Sequence, residues 1–475
     1  MKIRDVRHVT IVGLARQGKA LARFWCKHGA SVTITDLRPR EKLQAELDEL
    51  SGLSIEYVLG EHPLSLLDRC ELLCLSGGVP PETPLPQEAR RRGIPLSNDS
   101  LLTLYLSPVP VVGVTGSSGK TTTTTLVGKM LAETPLKTWI GGNIGTPLID
   151  RIDEVSSGDK LVLELSSFQL QLFDAGPHVA AVLNVTPNHL DRHPSMAHYT
   201  SAKAQILRWQ QANDVAVLGL DDEIAGRWWR SREVEIEADT GQEYVRFPIR
   251  ARRLGFSLVE PVPEGAFLRD ERLVWRDGQR EHEVCAAQDL KLVGRHNVAN
   301  VLAACAIAGA SGATVEAMRQ VAQSFAGVAH RLELVRQRDG VRWYNDSIAT
   351  APERVVAALN AFDESIVLLA GGRDKHLPWE EMADLTTRKV RHLVLFGEAA
   401  DLIDGEIERA RERVTGPAPV LDVHRCTGLE EAVEAAAAVA RPGQVVLLSP
   451  GGTSFDAYRD FEARGQHFCE LVRAL

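Results

Sequence analysis

Residues 111–131 read VVGVTGSSGKTTTTTLVGKML, an apolar run that becomes a glycine-rich loop and then a helix-like segment. The apolar run predicts a buried strand, and the Gly-Lys-Thr-Thr that follows predicts a phosphate-binding loop at the start of a helix. In such a loop, backbone N–H groups surround phosphate oxygens, Lys120 reaches the outer phosphates and a threonine hydroxyl holds Mg²⁺. The spacing departs from the usual pattern, because Thr115 stands where the first glycine is expected and Gly113 lies two residues earlier. This stretch therefore predicts an α/β fold with a nucleotide-phosphate site.

Two more chemically capable side chains follow apolar strand patterns in the same region. Glu164 ends the run LVLE, and His189 comes just after AAVLNV. Open α/β sheets place their sites at the carboxyl ends of strands, and phosphate-loop enzymes need a carboxylate near the metal. Glu164 is the candidate carboxylate, and His189 is a candidate for a second Mg²⁺ or for orienting a substrate. Tyr199 and Lys203 are four residues apart and share one face of a predicted helix. This spacing alone does not indicate a function for Lys203.

The first hundred residues repeat the alternation of strand and helix patterns. HVTIVGL, QGKALARFWCKHG and ASVTITD predict a βαβ unit, and hence a Rossmann-like domain. The turn from Gly13 to Gly18, followed by Asp36, is similar to a dinucleotide fingerprint, but Ala15 replaces its middle glycine. This pattern is as compatible with a nucleotide sugar as with NAD as the ligand of the first domain.

The last third of the chain contains four more apolar strand patterns, in VRWYNDS, SIVLLAGG, HLVLFGE and QVVLLSPGG. Polar loops at 344–350, 371–375 and 449–456 follow three of them, and together they suggest one rim of a site. A chain of 475 residues suits about three domains, which we place at 1–98, 99–327 and 328–475. Residues 212–289 are irregular and rich in charge, and they predict a β-rich insertion without assigned chemistry.

Composition narrows the classes of partner and compartment. The net charge is −9 and there is no long basic run, which argues against nucleic acid and membrane surfaces as partners. Seven scattered cysteines without a Cys-x-x-Cys pair predict reduced thiols. The first residues enter a strand pattern with no leader, and no apolar stretch is long enough to span a membrane. We expect a cytoplasmic, monomeric enzyme with small-molecule substrates.

The chain resembles the Mur ligase family over essentially its whole length. The motifs that carry the resemblance are, in order, GVTGSSGKTTT, ELSSFQL, NVTPNHLDRH, GRHNVANVLAA, AHRLE, YNDSIAT, GGRDK and LSPGGTSFDAYRDFEARG. The resemblance implies three α/β domains: a Rossmann-like N-terminal domain for the UDP end of a substrate, a central P-loop ATPase domain and a C-terminal Rossmann-like domain for an amino acid. It also implies ATP-dependent joining of glutamate, with D-glutamate expected, to UDP-N-acetylmuramoyl-L-alanine through an acyl phosphate in peptidoglycan precursor synthesis.

Matching motifs carry the family's site residues onto this sequence. The resemblance assigns ATP to Gly116, Ser117, Ser118, Gly119, Lys120, Thr121, Thr122, Asn297, Arg331 and Asp346. It assigns the UDP substrate to Leu14, Ala15, Asp36, Arg38, Ser76, Asn143, Ser166, Gln169 and His189. It assigns glutamate to Thr350, Lys375, Ser454 and Phe461. The implied metal ligands for Mg²⁺ are Thr121, Glu164, His189 and a carbamylated Lys203, and the implied catalytic residues are Lys120, Glu164, His189 and Lys203.

Two departures and several alternatives accompany this interpretation. The family usually has Lys where this chain has Ile348, which removes a cation near the glutamate and metal sites and leaves D- or L-glutamate open, and SGGVPP stands where Ser-Pro-Gly is common. Another Mur ligase or a folylpolyglutamate-type relative would share the phosphate loop, although the Asp-Tyr-Ala-His typical of later ligases in the pathway is absent. Outside the ligases, Ala15 argues against a nicotinamide-dependent dehydrogenase. The set of Lys120, Glu164 and His189 argues against a non-catalytic UDP-sugar sensor.

Overall fold

The computed structural model describes residues 3–187, 192–237, 245–292, 294–375, 377–413 and 421–475. The chain forms two compact units, residues 1–325 and 326–475. Helices long and apolar enough to cross a membrane are absent from the described residues. The boundaries at 98/99 and 327/328 stay predictions.

The first unit begins with a parallel sheet of five strands: β1 (His8–Val12), β2 (Ser31–Asp36), β3 (Ile55–Leu59), β4 (Leu72–Leu75) and β5 (Leu96–Ser97). Their order across the sheet is β3-β2-β1-β4-β5. The helices around it are α1 (Arg16–Lys27), α2 (Gln44–Asp48), α3 (Pro84–Arg91) and α4 (Asp99–Leu106), with 3-10 turns at Ile3–Asp5, Arg40–Lys42 and Leu64–Leu67. β1, α1 and β2 confirm the predicted βαβ unit, since parallel neighbours need a crossover helix.

The second sheet of this unit contains the phosphate loop. Its strands are β6 (Val111–Thr115), β7 (Thr138–Gly142), β8 (Lys160–Glu164), β9 (Val179–Val182) and β10 (Val215–Gly219), and further along the chain β13 (Arg252–Ser257), β14 (Gly265–Arg269), β15 (Arg272–Asp277) and β16 (Arg280–Ala286). Their order is β16-β15-β14-β13-β10-β9-β6-β8-β7. β6 is parallel to both of its neighbours, β8 and β9, so the loops that follow these three strands leave the sheet at one edge.

The helices of this second part pack on the same sheet. They are α5 (Lys120–Ala132), α6 (Ser167–Leu170), α7 (Met196–Arg208), α8 (Glu223–Ser231), α9 (Arg295–Ala310) and α10 (Val315–Ser324), with 3-10 turns at Leu148–Glu154 and Ala287–Asp289. α9 is buried along most of its length, as its alanine-rich apolar sequence requires, and it packs against α5. The helix that begins at the phosphate loop is therefore held from both sides, by the sheet and by α9.

The charge-rich stretch from 212 to 289 is rich in strands, as the sequence predicts. Most of these strands extend the central sheet: β10, β13 and β14 continue it in parallel, and β15 and β16 add an antiparallel edge. β11 (Glu233–Ile236) and β12 (Val245–Pro248) form a separate antiparallel hairpin. The stretch is thus part of the central domain's sheet, and β10, β13, β14 and β15 each bury a continuous run of residues, as strands covered on both faces do.

The second unit is a sheet of six strands: β17 (Glu333–Arg338), β18 (Val341–Asn345), β19 (Ile366–Gly371), β20 (Val390–Phe396), β21 (Asp422–Arg425) and β22 (Val445–Gly451). Their order is β17-β18-β22-β19-β20-β21, with β17 antiparallel to β18 and the other pairs parallel. Its helices are α11 (Pro352–Leu359), α12 (Glu380–Lys389), α13 (Ala400–Arg413), α14 (Leu429–Val439) and α15 (Phe461–Ala474). The three α/β domains expected from the sequence are present in these sheets.

Both faces of this sheet are buried, and β19 shows why its sequence is apolar throughout. Leu368 and Ala370 join one hydrophobic cluster, whereas Val367 and Leu369 join the cluster on the other face. A parallel strand covered by helices on both sides has no solvent face and therefore no polar alternation. Polar residues begin where β18, β19 and β22 end, at the same edge of the sheet.

Candidate active site

The phosphate loop spans the gap between β6 and α5. Gly119 precedes the helix with φ of +78°, a left-handed conformation in which a side chain is strained. A Cβ atom at this position would lie 2.3 Å from the Oδ1 atom of Asn300 on α9. The left-handed backbone therefore favours glycine here, and a larger side chain would also have to displace the Asn300 amide. The first N–H groups of α5 have no partner within the helix, which is the usual arrangement for binding phosphate.

The loop that follows β9 holds the phosphate loop in place. The Ser117 hydroxyl donates to the carbonyl of Thr186 at 2.9 Å and accepts from the Thr186 N–H at 2.9 Å. The Tyr199 hydroxyl also donates to Ser117 Oγ at 2.9 Å, and the Ser118 N–H donates to Asn184 Oδ1 at 2.9 Å. The Ser117 N–H also donates to the Asn184 carbonyl, at 3.0 Å, so both the hydroxyl and the backbone N–H of Ser117 hold the loop together. The N–H groups at the start of α5 are the ones left to bind phosphate.

Two lysines converge on one carbonyl of the phosphate loop. Lys120 Nζ donates to the carbonyl oxygens of Gly116 at 2.7 Å and Ser117 at 3.3 Å, and Lys203 Nζ donates to the Gly116 carbonyl at 2.8 Å. Lys203 is 1% exposed. Burial, together with the positive charge of Lys120, holds the pKa of Lys203 well below its usual range, and Glu164 opposes the shift. A buried amine beside a second cation is an unusual place for a lysine with a purely structural role.

Glu164, at the end of β8, is a buried carboxylate with one unused oxygen. Its Oε1 atom accepts from Asn143 Nδ2 at 2.8 Å, and the side chain is 1% exposed. Its Oε2 atom is enclosed and accepts no hydrogen bond from the described residues. Since a buried, unpaired carboxylate oxygen is costly, this atom fits a cation ligand, and oxygen donors are what Mg²⁺ prefers.

Of the other two residues proposed as metal ligands, Thr121 is among the described residues and His189 is not. Thr121 is in the first turn of α5, half-buried. His189 lies outside the described residues. Among the described residues, no three His, Cys, Asp or Glu side chains cluster as a ready metal site. The described residues that suit Mg²⁺ are therefore one carboxylate, one hydroxyl and the buried amine of Lys203, which becomes an oxygen donor only after carbamylation.

The first sheet brings together four residues assigned to the UDP end. Asp36 Oδ2 accepts from the Leu14 N–H at 2.8 Å, and Arg38 donates from Nε to Asp36 Oδ1 at 3.0 Å and from Nη2 to the Leu14 carbonyl at 3.2 Å. Burial disfavours the ionised carboxyl, but hydrogen bonds from Arg38 and Leu14 outweigh it and lower the pKa of Asp36 to about 2. Ser76 Oγ donates to the Gly13 carbonyl at 2.8 Å. These contacts fix the loop in which Ala15 is exposed.

Three more assigned residues lie where the first and central domains meet within the first unit. Arg16 Nη2 donates to the Asn143 carbonyl at 3.0 Å, and the Asn143 N–H donates to the Glu164 carbonyl at 2.8 Å. Ser166 caps α6 in a reciprocal arrangement with Gln169, whose Nε2 donates to Ser100 Oγ at 2.7 Å. Asn143 thus connects the loop of the first domain to the carboxylate of the central domain. Gln169 has its amide committed to protein partners.

In the second unit, the loops after β18, β19 and β22 are adjacent, as the sequence suggests. The Gly451 N–H donates to the Ala349 carbonyl at 2.8 Å, and Arg373 and Thr453 exchange backbone hydrogen bonds at 2.8 Å. Lys375 Nζ donates to Thr350 Oγ1 at 3.3 Å. Ser454 is buried and Phe461 begins α15. The four residues assigned to glutamate therefore belong to one edge of this sheet and the helix after it.

Asp346, at the end of β18, is buried with two hydrogen-bond donors. Ser449 Oγ donates to Oδ2 at 2.9 Å and the Leu332 N–H donates to Oδ1 at 3.2 Å. Burial dominates over these donors and over the nearby Arg331 and Arg354, and it raises the pKa of Asp346 to about 7.

The other assigned ATP residues are Arg331, half-buried in the second unit, and Asn297 on α9, which accepts from Asn300 Nδ2 at 3.1 Å.

Arg464 is a candidate that the sequence reasoning did not single out. Its guanidinium is fully buried and donates to Ser347 Oγ at 3.0 Å, to the Ser347 carbonyl at 2.9 Å and to the Gly452 carbonyl at 3.2 Å. Burial lowers its pKa to about 10. Arg464 therefore connects two of the three loops, the one that contains Ser347 and the one that contains Gly452. Its only sequence signal was its place in the motif FEARG, because its partners are remote along the chain.

Comparisons with known proteins agree with this architecture. Three family models match in sequence order: the Mur ligase MurD-like N-terminal domain over residues 7–98, the Mur ligase middle domain over 114–308 and the Mur ligase glutamate ligase domain over 330–452. Together they cover most of the chain. The chain belongs to the Mur ligase family.

Within that family, full-length relatives carry one name. A protein of Symbiobacterium thermophilum is 43% identical over 98% of this chain and 97% of its own length, and one of Acetivibrio thermocellus is 40% identical over 99% and 97%. Both are named UDP-N-acetylmuramoylalanine–D-glutamate ligase.

Solved structures support the fold. The UDP-N-acetylmuramate-alanine ligase of Thermotoga maritima aligns with a TM-score of 0.54 at 18% identity, covering 98% of this chain and 99% of that one. The E. coli FolC protein, solved with DHPP and ADP, aligns with a TM-score of 0.53 at 17% identity, covering 79% of this chain and 92% of that one.

Proposed function

We propose that this protein joins D-glutamate to UDP-N-acetylmuramoyl-L-alanine, with conversion of ATP to ADP and phosphate. The observation that carries the proposal is a phosphate loop with Lys120 after β6, and the buried Glu164 at the end of the neighbouring strand β8, one of whose oxygens accepts no hydrogen bond from the described residues. Ligase relatives match the chain along its whole length. The product is a peptidoglycan precursor, and we place the enzyme in the cytoplasm as a monomer.

In this proposal the first step is phosphoryl transfer from ATP. The alanine carboxylate of the UDP substrate attacks the γ-phosphorus, the bond to the β-phosphate oxygen breaks, and ADP leaves with that electron pair. Lys120 turns from the Gly116 and Ser117 carbonyls to the phosphates and offsets their charge, as the N–H groups at the start of α5 do. Asn297, Arg331 and Asp346 hold the adenine, phosphate and ribose.

In the second step the amine of D-glutamate attacks the acyl phosphate. A tetrahedral intermediate forms, loses a proton from nitrogen and collapses to the amide as phosphate leaves. Lys375 pairs with a carboxylate of the amino acid, with Thr350, Ser454 and Phe461 around it. Protein groups also have to exclude water here, because an acyl phosphate hydrolyses if it is exposed.

Mg²⁺ belongs to this site, and Thr121, Glu164 and His189 are the residues that would hold it. When bound, Mg²⁺ neutralises phosphate charge and orients the transferred group. The enclosed and unpaired Glu164 Oε2 supports the fit.

Carbamylation of Lys203 belongs to the same proposal. The amine attacks CO₂, a C–N bond forms and a proton is released, which converts a buried cation beside Lys120 into an anion. The geometry supports this, because Lys203 and Lys120 share the Gly116 carbonyl in a buried site and would otherwise repel. A depressed lysine pKa favours the neutral amine that reacts.

The UDP end of the substrate is proposed to bind at the first sheet, near Leu14, Ala15, Asp36, Arg38 and Ser76. The proposal assigns Asn143, Ser166, Gln169 and His189 to the same substrate, and the first three are in the central domain's fold. The domain boundaries proposed are 1–98 for the UDP end, 99–327 for ATP and 328–475 for glutamate. The supporting contact is Arg16 to Asn143, which joins the first two within one compact unit.

The test is phosphate release from ATP by the purified protein with Mg²⁺ and UDP-N-acetylmuramoyl-L-alanine, in the presence of D-glutamate, L-glutamate or no amino acid. Release that requires D-glutamate supports the proposal. Release that requires L-glutamate would keep ligase chemistry and overturn the stereochemical assignment. Absence of release with either would overturn the proposed reaction and reopen the later ligases of the pathway.

A further inference from the structure

The two negative charges of the glutamate substrate need more positive charge in the pocket than Lys375 alone provides. In the proposed reaction, on which this inference rests, glutamate enters with two carboxylates and attacks with a neutral amine, so it carries two negative charges. Of the residues assigned to its pocket, Lys375 alone is a cation, and Ile348, two residues before Thr350 in the sequence, is neutral. Binding two carboxylates with one cation leaves a charge unmatched where water is excluded.

Two arginines that contact these loops, Arg373 and Arg464, already have protein partners. Arg373 forms a two-pronged ion pair with Glu398, at 2.7 and 2.9 Å. Arg464 is fully buried, and its guanidinium donates hydrogen bonds to Ser347 and Gly452, so it cannot reach a ligand. Neither guanidinium is available to a substrate carboxylate without breaking its contacts.

Arg354 differs from both of them. It lies four residues after Thr350, in the first turn of α11, with an exposed side chain. Its guanidinium forms no hydrogen bond or ion pair with any described residue. A cation in the first turn of a helix is opposed by the helix dipole, so this position does not stabilise its own helix.

The backbone that carries Arg354 is fixed relative to Lys375. The loop before it is held by the hydrogen bond from Gly451 to Ala349, and Lys375 contacts it through Thr350. Arg354 is close enough that its charge, after burial, is the next cause that lowers the pKa of the Lys375 ammonium, and the neighbouring Glu353 opposes this shift. Two cations that repel each other beside a hydroxyl are stabilised by a ligand with two negative charges.

We propose that Arg354 is a specificity-determining residue that binds one carboxylate of the glutamate substrate while Lys375 binds the other. The planar guanidinium suits a two-pronged contact with a carboxylate. This pairing gives the pocket a preference for dicarboxylic over neutral amino acids.

The test compares Arg354→Gln with Arg473→Gln in the full-length protein. Arg473 is an exposed arginine near the other end of α15, about 18 Å along the helix from Phe461. KM is measured separately for D-glutamate, ATP and the UDP substrate, with the melting temperature as a check on folding. Lys375→Ala is the positive control, because it removes the cation already assigned to the pocket.

Arg354→Gln is expected to raise KM for D-glutamate about tenfold or more, as loss of a charge-assisted contact does, with KM for ATP changed less than about twofold. Arg354→Lys should keep much of the affinity because it keeps the charge. The inference is overturned if Arg354→Gln matches Arg473→Gln, or if KM for ATP rises as much as KM for D-glutamate. If wild-type protein releases no phosphate in response to D-glutamate, the proposed function fails instead, and the two failures are distinct.

Discussion

Asp346→Asn should stabilise the second unit at alkaline pH but not at acid pH. Asp346 is 5% exposed, and burial raises its pKa from 3.8 to about 7. Each unit of pKa difference between the folded and unfolded states corresponds to about 1.4 kcal/mol. The ionised carboxyl therefore lowers the free energy of unfolding by about 4 kcal/mol once both states are deprotonated.

The sign follows from which state holds the proton. Below pH 3.8 the carboxyl is protonated in both the folded and the unfolded chain, and it costs nothing. As the pH rises from there to about 7, the unfolded chain ionises first, so the wild-type protein loses stability across this window. Asparagine has nearly the same shape and no charge, and it can accept from the Leu332 N–H and donate to Ser449 Oγ. The advantage of the variant should therefore grow with pH and be complete near pH 8.

The measurement is urea unfolding of the full chain at pH 4.5 and pH 8, without nucleotide. Pulsed hydrogen exchange of peptides from β18 and β22 reports on the second unit itself, because these strands surround the substituted side chain. Asp363→Asn is the matched control, an exposed aspartate of the same unit. A difference between Asp346→Asn and wild type that is the same at both pH values, within about 1 kcal/mol, would show that the buried carboxyl does not destabilise the fold when it ionises.

Three further changes test the first unit. Lys120→Ala should lower kcat/KM for phosphate release at least about a hundredfold, because the charge that faces the phosphates is lost; full turnover would contradict the assignment. Lys203→Ala should abolish activity that added bicarbonate does not restore, whereas CO₂-depleted wild type should recover with bicarbonate; an active variant would exclude the carbamate. Gly119→Ala should raise KM for ATP and lower the melting temperature, since its Cβ would lie 2.3 Å from Asn300. Gly278→Ala, with φ of +56° and open space, should show only the backbone cost of about 1–2 kcal/mol, and equal effects of the two would argue against the contact.

Much of the fold was predictable because its signals are local. The apolar run before the phosphate loop, the glycine turn and the helix after it lie within about twenty residues, and β6, Gly119 and α5 appear where the pattern puts them. The same holds for β1, α1 and β2. The positions of Glu164 and Asp346 at strand ends were also readable, because an apolar run that stops at a charge marks the edge of a buried strand.

The pairing of distant residues was not predictable in the same way. Lys203 and Gly116 are 87 residues apart, and Ser449 and Asp346 are 103 apart, so no short pattern connects them. The buried position of Arg464 was missed for the same reason, since its partners come from two other loops. The extension of the central sheet by residues 212–289 was missed because strand patterns do not state which sheet a strand joins.

The α/β class, the phosphate loop, the order of the three domains and, through the motifs, the family could all be inferred without the structure. Tertiary structure set how charged groups are paired among the described residues: one Glu164 oxygen accepts no hydrogen bond, Lys120 and Lys203 donate to one carbonyl, and the guanidinium of Arg354 has no partner. The physical reason is that periodicity and turn chemistry act over a few residues along the chain. Desolvation and charge pairing depend instead on what the strand order and helix packing bring to each site.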